Sequence, residues 1–75
     1  MNSDILHYFL AIDIGAGSGR ALLGTIQSEK IEFSEVTRFP NPMIEVNGFI
    51  YWDILYLYIQ IIDSIKKVKS MGIEI

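Results

Sequence analysis

Two apolar runs separated by Gly15-Ala16-Gly17-Ser18-Gly19-Arg20 constrain this chain more than any other feature. Tyr8 to Ile12 leads in, Asp13 stands just past that run, and Ala21 to Ile26 leads away. Both runs have the length of strands, not of helices. Glycine allows the tight bends and close approaches that a chain reversal needs. The segment reads as a strand, a tight turn, and a second strand running back.

A turn of this kind can bind anions. Successive backbone N–H groups pointing inward make a concavity for phosphate. Ser18 adds a hydroxyl donor, and Arg20 adds a charged fork that matches phosphate geometry. Asp13 would repel a phosphate unless a cation lay between them. Magnesium suits that place, because it uses few carboxylates together with phosphate oxygens. The same residues also fit a plain hairpin with Asp13 as a turn residue, and spacing alone leaves both readings open.

Other glycine motifs fit less well. A dinucleotide-binding fingerprint needs G-x-G-x-x-G opening a helix, with an acid about 20 residues on. Here Gly15, Gly17 and Gly19 alternate, and Ala21-Leu22-Leu23-Gly24-Thr25-Ile26 is too short for a crossover helix, although Glu35 lies in rough range of the acid position. A Walker A loop needs Gly-Lys-Ser/Thr, which does not occur.

The rest of the chain extends this start. His7 to Ile14 is nearly continuous apolar sequence, as in a strand buried on both faces, with His7 a solvated residue at its beginning. Strands are expected at 7–14, 19–27 and 31–39, as an antiparallel meander. Gly24 marks a bulge or a close backbone approach. In the third strand Ile31 and Phe33 alternate with polar residues, but the phase slips at Glu35-Val36, as a bulge or an edge position would cause. Pro40-Asn41-Pro42 stops that strand. Met43 to Val46 is irregular or weakly extended, Asn47-Gly48 is a tight turn, and Phe49 to Trp52 is a short extended piece with Trp52 as a packed anchor.

A helix is expected at about 53–71, with Asp53 as N-cap and Gly72 just past the C-terminus. Ile54, Leu57, Tyr58, Ile61, Ile62, Ile65 and Val68 form its apolar stripe. Lys66, Lys67 and Lys69 lie near the end where the helix dipole favours cations. Ile73-Glu74-Ile75 begins another alternating run. The fold class is α/β.

The stretch Ala11 to Arg20 resembles the first phosphate motif of the FGGY carbohydrate kinases, whose fold is the actin-like, ribonuclease-H-like ATPase fold. Within that family it is most similar to the rhamnulokinase branch, on the Ser18-Gly19-Arg20 ending, Arg38-Phe39-Pro40-Asn41, and Asn47 to Ile54. The resemblance extends over nearly the whole chain and implies the incomplete N-terminal part of the first ATPase domain. It implies ATP and Mg2+ as cofactors. It assigns Asp13 to the metal and Gly15, Ala16, Gly17, Ser18, Gly19 and Arg20 to the ATP phosphates. Gly17 departs from the commoner Ser or Thr, so one hydroxyl donor is lost. The implied reaction transfers the γ-phosphoryl group of ATP to a ketose, L-rhamnulose giving its 1-phosphate. Catalytic residues are not expected within this segment, and these 75 residues by themselves are expected not to phosphorylate sugar.

Composition narrows the alternatives. A core of 75 residues is marginal, and 51% apolar content leaves apolar surface over. The second reading is therefore a small α/β module that self-associates through that surface and binds no nucleotide. Six basic against nine acidic residues, net −3, argue against a nucleic-acid footprint. Without cysteine there is no disulfide or thiolate site. Met1-Asn2-Ser3-Asp4 lacks the positive charge of a signal peptide, and no apolar stretch approaches the roughly 20 residues of a membrane span. The expectation is a soluble cytoplasmic protein.

Overall fold

The computed structural model describes residues 5–75, so the segment 1–4 discussed above lies outside the described residues. Three strands follow one another: β1 (His7–Ile14), β2 (Ser18–Gln27) and β3 (Lys30–Pro40). They pair antiparallel in the order β1-β2-β3, which is the expected meander. The link from β2 to β3 is a two-residue turn, with Gln27 opposite Lys30 and with Ser28 and Glu29 at φ 50° and 64°. Positive φ at both central residues matches the twist of the flanking strands.

The phase slip in β3 is a bulge. Thr37 sits opposite Ala21 and Glu35 opposite Leu22, so Val36 is the extra residue. Gly24 is not bulged. A Cβ there would lie 2.1 Å from Cζ of Phe9, so a side chain, not a second backbone, makes the close approach. The Phe9 ring covers Gly24 and meets Phe33 edge-on, with centroids 5.6 Å apart.

Beyond β3 the chain forms a second, two-stranded sheet from β4 (Ile44–Val46) and β5 (Phe49–Tyr51). Asn47 and Gly48, at φ 52° and 82°, close it. Met43 to Val46 is thus more regular than its sequence suggested, because the Asn-Gly turn pairs it with the aromatic run. Helix α1 (Ile54–Ser70) then begins at Asp53, whose carboxylate accepts the Tyr56 N–H at 3.1 Å. It ends at Met71 with Gly72 in the left-handed region, as expected for a residue just past a helix.

Alternation places Ile12, Ile14, Gly19, Ala21, Leu23 and Phe39 on one face of the large sheet. The helix packs against β2 and β3. The apolar core comprises Ala21, Leu23, Phe39, Leu57 and Val68. Three expectations of burial change. The apolar residues of β1 are half-buried, not buried on both faces, since β1 is an edge strand among the described residues. In the helix, Leu57 and Val68 are buried and Ile61, Ile62 and Ile65 are half-buried, but Ile54 and Tyr58 are exposed. The helix turns Ser64 inward instead, where its hydroxyl donates to the Gln60 carbonyl at 2.8 Å. Trp52 remains 42% exposed, so it is not a sealed anchor. With a radius of gyration of 15.5 Å against about 11 Å for a compact chain of this length, the molecule is elongated.

Candidate functional site

The link between β1 and β2 is the three-residue segment Gly15-Ala16-Gly17. Its base is closed by the Gly15 N–H donating to the Ser18 carbonyl at 2.9 Å. Gly15, Ala16, Gly17 and Ser18 are exposed. Among the described residues the N–H groups of Ala16 and Gly17 donate to no protein acceptor. Two amides without a protein acceptor, on exposed residues, therefore stand together beside the exposed Ser18, and a Cβ built on Gly17 would meet nothing within 4 Å.

The glycines act differently from the expectation. None of Gly15, Gly17 or Gly19 occupies the left-handed region. Gly19 is buried inside the ladder, paired with Ile14 and Phe39, and a Cβ on it would lie 2.4 Å from Cε2 of Phe39. Gly19 thus makes room for the Phe39 ring, while the open side of the turn belongs to Ala16 and Gly17.

Asp13 and Arg20 face each other across β1 and β2, and Nε of Arg20 donates to Oδ2 of Asp13 at 3.1 Å. Their side chains are 61% and 45% exposed, and such a pair contributes only about 0–1 kcal/mol. It is readily exchanged for other partners. Arg38 extends the row on β3, opposite Arg20, and donates to Oε1 of Glu35 from Nε at 3.1 Å and from Nη2 at 2.7 Å. That hydrogen bond, helped by the charges of Arg38 and Arg20 and opposed by some desolvation, holds the Glu35 carboxyl below its usual range. This pair of Glu35 and Arg38 is exposed to a similar degree as Asp13 and Arg20.

No group of three or more His, Cys, Asp or Glu residues suited to a metal ion occurs among the described residues. A site made wholly of protein ligands is not present there, but a hydrated magnesium shared with phosphate oxygens needs only one or two carboxylates. Asp13, exposed and weakly held, fits that requirement.

One residue escaped sequence reasoning. Asn41, directly after β3, is only 3% exposed. Its Nδ2 donates to the Gly15 carbonyl at 2.8 Å, and its backbone N–H donates to the Gly17 carbonyl at 3.2 Å. Oδ1 is buried without a partner among the described residues, which costs about 1–3 kcal/mol. The signal available was a polar residue fixed between Pro40 and Pro42, where a corner made only to end a strand has no need of an amide. Tyr56, from the first turn of α1, donates its hydroxyl to the neighbouring Pro40 carbonyl at 2.8 Å.

No family model matches the chain. It is 48% identical to the rhamnulokinase of Bacteroides thetaiotaomicron over 64 residues, 85% of this chain and 13% of that protein. It is 44% identical to the rhamnulokinase of Halalkalibacterium halodurans over 69 residues, 92% of this chain and 15% of that protein. With the Bacillus subtilis rhamnulokinase the identity is 39% over 66 residues, 88% and 14% of the two chains. The chain therefore spans about 13–15% of the length of these relatives. Among the described residues no helix is long and apolar enough to cross a membrane. The three-stranded meander, the helix after it and these identities relate the chain to the rhamnulokinases, a group of sugar kinases.

Proposed function

We propose that this chain supplies the phosphate-holding turn of an ATP-dependent ketose kinase whose substrate is L-rhamnulose and whose product is its 1-phosphate. The observation that carries the reading is the pair of exposed, unpartnered amides at Ala16 and Gly17, flanked by Ser18, Arg20 and Asp13. Phosphoryl transfer depends mainly on positioning and on stabilising charge. The two amides and the Ser18 hydroxyl would donate to phosphate oxygens. Arg20, released from Asp13, would place its guanidinium against the terminal phosphate. Asp13 would then hold the hydrated Mg2+, which when bound neutralises phosphate charge. The base that activates the sugar hydroxyl, the adenosine pocket and most sugar contacts would come from outside these 75 residues. The segment alone would therefore bind nucleotide weakly and transfer nothing.

Titration with Mg-ATP, followed by amide chemical shifts, tests the reading. Shifts confined to Gly15–Arg20 that vanish in Asp13→Ala and Ser18→Ala are the expected result. A response that survives both substitutions would refute the assignment.

A second reading, self-association without nucleotide, is favoured by exposed Ile54, Leu55, Tyr58 and Ile59 on α1. It requires a mass that rises with concentration in sedimentation, together with no response of the turn to Mg-ATP.

A further inference from the structure

We infer that Asn41 is a positioning residue for the phosphate turn, holding its two free amides in place from a distant part of the chain. The inference rests on the nucleotide reading above for its purpose, but not for its geometry. The turn is not fixed by its own backbone preferences, since none of its glycines uses a left-handed conformation. Besides the Gly15–Ser18 bond at its base, two of its carbonyls are held by one residue: Gly15 O accepts from the Asn41 side chain and Gly17 O from the Asn41 backbone. Gripping these carbonyls orients the peptide planes that carry the Ala16 and Ser18 N–H groups, because each peptide is planar, and the plane that carries the Gly17 N–H is held between them. The Gly15 carbonyl belongs to the same peptide unit as the Ala16 N–H. One hydrogen bond therefore sets the direction of one phosphate donor.

Burial supports the same role. Asn41 is almost fully enclosed, yet it keeps an acceptor with no partner among the described residues. An apolar side chain would fill the space without that penalty, so the side chain is explained by the donor it offers to Gly15. Tyr56 reinforces the grip by tying the start of α1 to Pro40, one residue before Asn41.

The experiment uses Asn41→Asp, which keeps size and backbone but replaces the donor with an acceptor facing the Gly15 carbonyl. Amide hydrogen exchange and chemical shifts are measured without nucleotide, and Mg-ATP affinity is then measured by titration. Expected are exchange faster by about tenfold or more at Gly15, whose N–H closes the turn, altered chemical shifts at Ala16 and Gly17, unchanged exchange at Leu23 and Val68, and Mg-ATP affinity lower by about tenfold. Unchanged exchange in the turn would overturn the inference, and so would a loosened turn with undiminished affinity. If the native chain itself shows no Mg-ATP response, the nucleotide reading fails and exchange alone decides whether Asn41 holds the turn. Should Asn41→Asp fail to fold, Tyr56→Phe provides the milder test. It should raise exchange in the turn by about threefold, and no change there would count against the inference.

Discussion

Gly17 and Gly19 sit two residues apart in the same motif, and the structure assigns them opposite responses to a methyl group. A Cβ at Gly19 would lie 2.4, 2.6 and 3.2 Å from three carbons of the Phe39 ring. Ordinary carbon contacts are about 3.5–4.0 Å, so Gly19→Ala requires the ring to retreat by more than about 1 Å. Phe39 is 4% exposed and, among the described residues, part of a core of five apolar side chains. It cannot retreat without unpacking its neighbours, and overpacking of this kind costs about 1–3 kcal/mol. A chain of this length has roughly 4–11 kcal/mol of stability in all, so the loss is large. At about 4–8 °C per kcal/mol, a 2 kcal/mol loss lowers the melting temperature by roughly 8–16 °C. Gly17→Ala meets nothing within 4 Å and does not start from a left-handed conformation. Its main effect is to restrict the unfolded chain, a gain of up to about 1 kcal/mol. Thermal unfolding followed by circular dichroism at several protein concentrations measures both. Equal effects from the two substitutions, or a neutral Gly19→Ala, would refute the division of roles within the turn.

Further tests address the elements that present it. Asp53→Ala removes the carboxylate that accepts from Tyr56 N and should cost about 1 kcal/mol, with weaker helical ellipticity from the first turn of α1; an unchanged urea midpoint would contradict the cap. Glu29→Gly relieves a left-handed conformation at φ 64° and should stabilise by roughly 1 kcal/mol, unless that turn adopts another geometry in solution, when the melting temperature would not rise. Glu35 has a folded-state pKa below its unfolded value, so its stabilising contribution is present above about pH 4.3 and is lost as pH falls through the lower folded value. Glu35→Gln should flatten that part of the acid dependence of the urea midpoint, and an unaltered profile would show that the pair with Arg38 does not persist.

Much of the fold was legible because its determinants are local. The meander followed from short apolar runs separated by small or polar residues. Asp53 and Gly72 bounded the helix by chemistry confined to its ends. Even the bulge at Val36 left a mark, as a break in the alternation of β3. The helix face was read less well. Its apolar residues exceed what one sheet face can cover, so spacing could not tell that Ser64 turns inward while Ile54 and Tyr58 stay outside. The burial expected of β1 failed for a related reason, since apolar sequence reports a tendency to be covered and β1 has an uncovered edge among the described residues.

The candidate site shows why long-range causes are hidden. Three glycines in alternation suggested a shared use, tight bends and close approaches within one chain reversal. In the structure they serve separate needs. Gly19 yields space to Phe39, a residue 20 positions away, while Gly17 leaves open the side on which a ligand would arrive. Neither need can be read from the dihedral preferences of glycine. Beyond the Gly15–Ser18 bond at its base, the turn is also held from outside by Asn41, 26 positions beyond Gly15. This explains how the Ala16 and Gly17 amides can stay exposed and still be ordered: the bonds that fix the turn use its carbonyls, leaving those two N–H groups for a ligand.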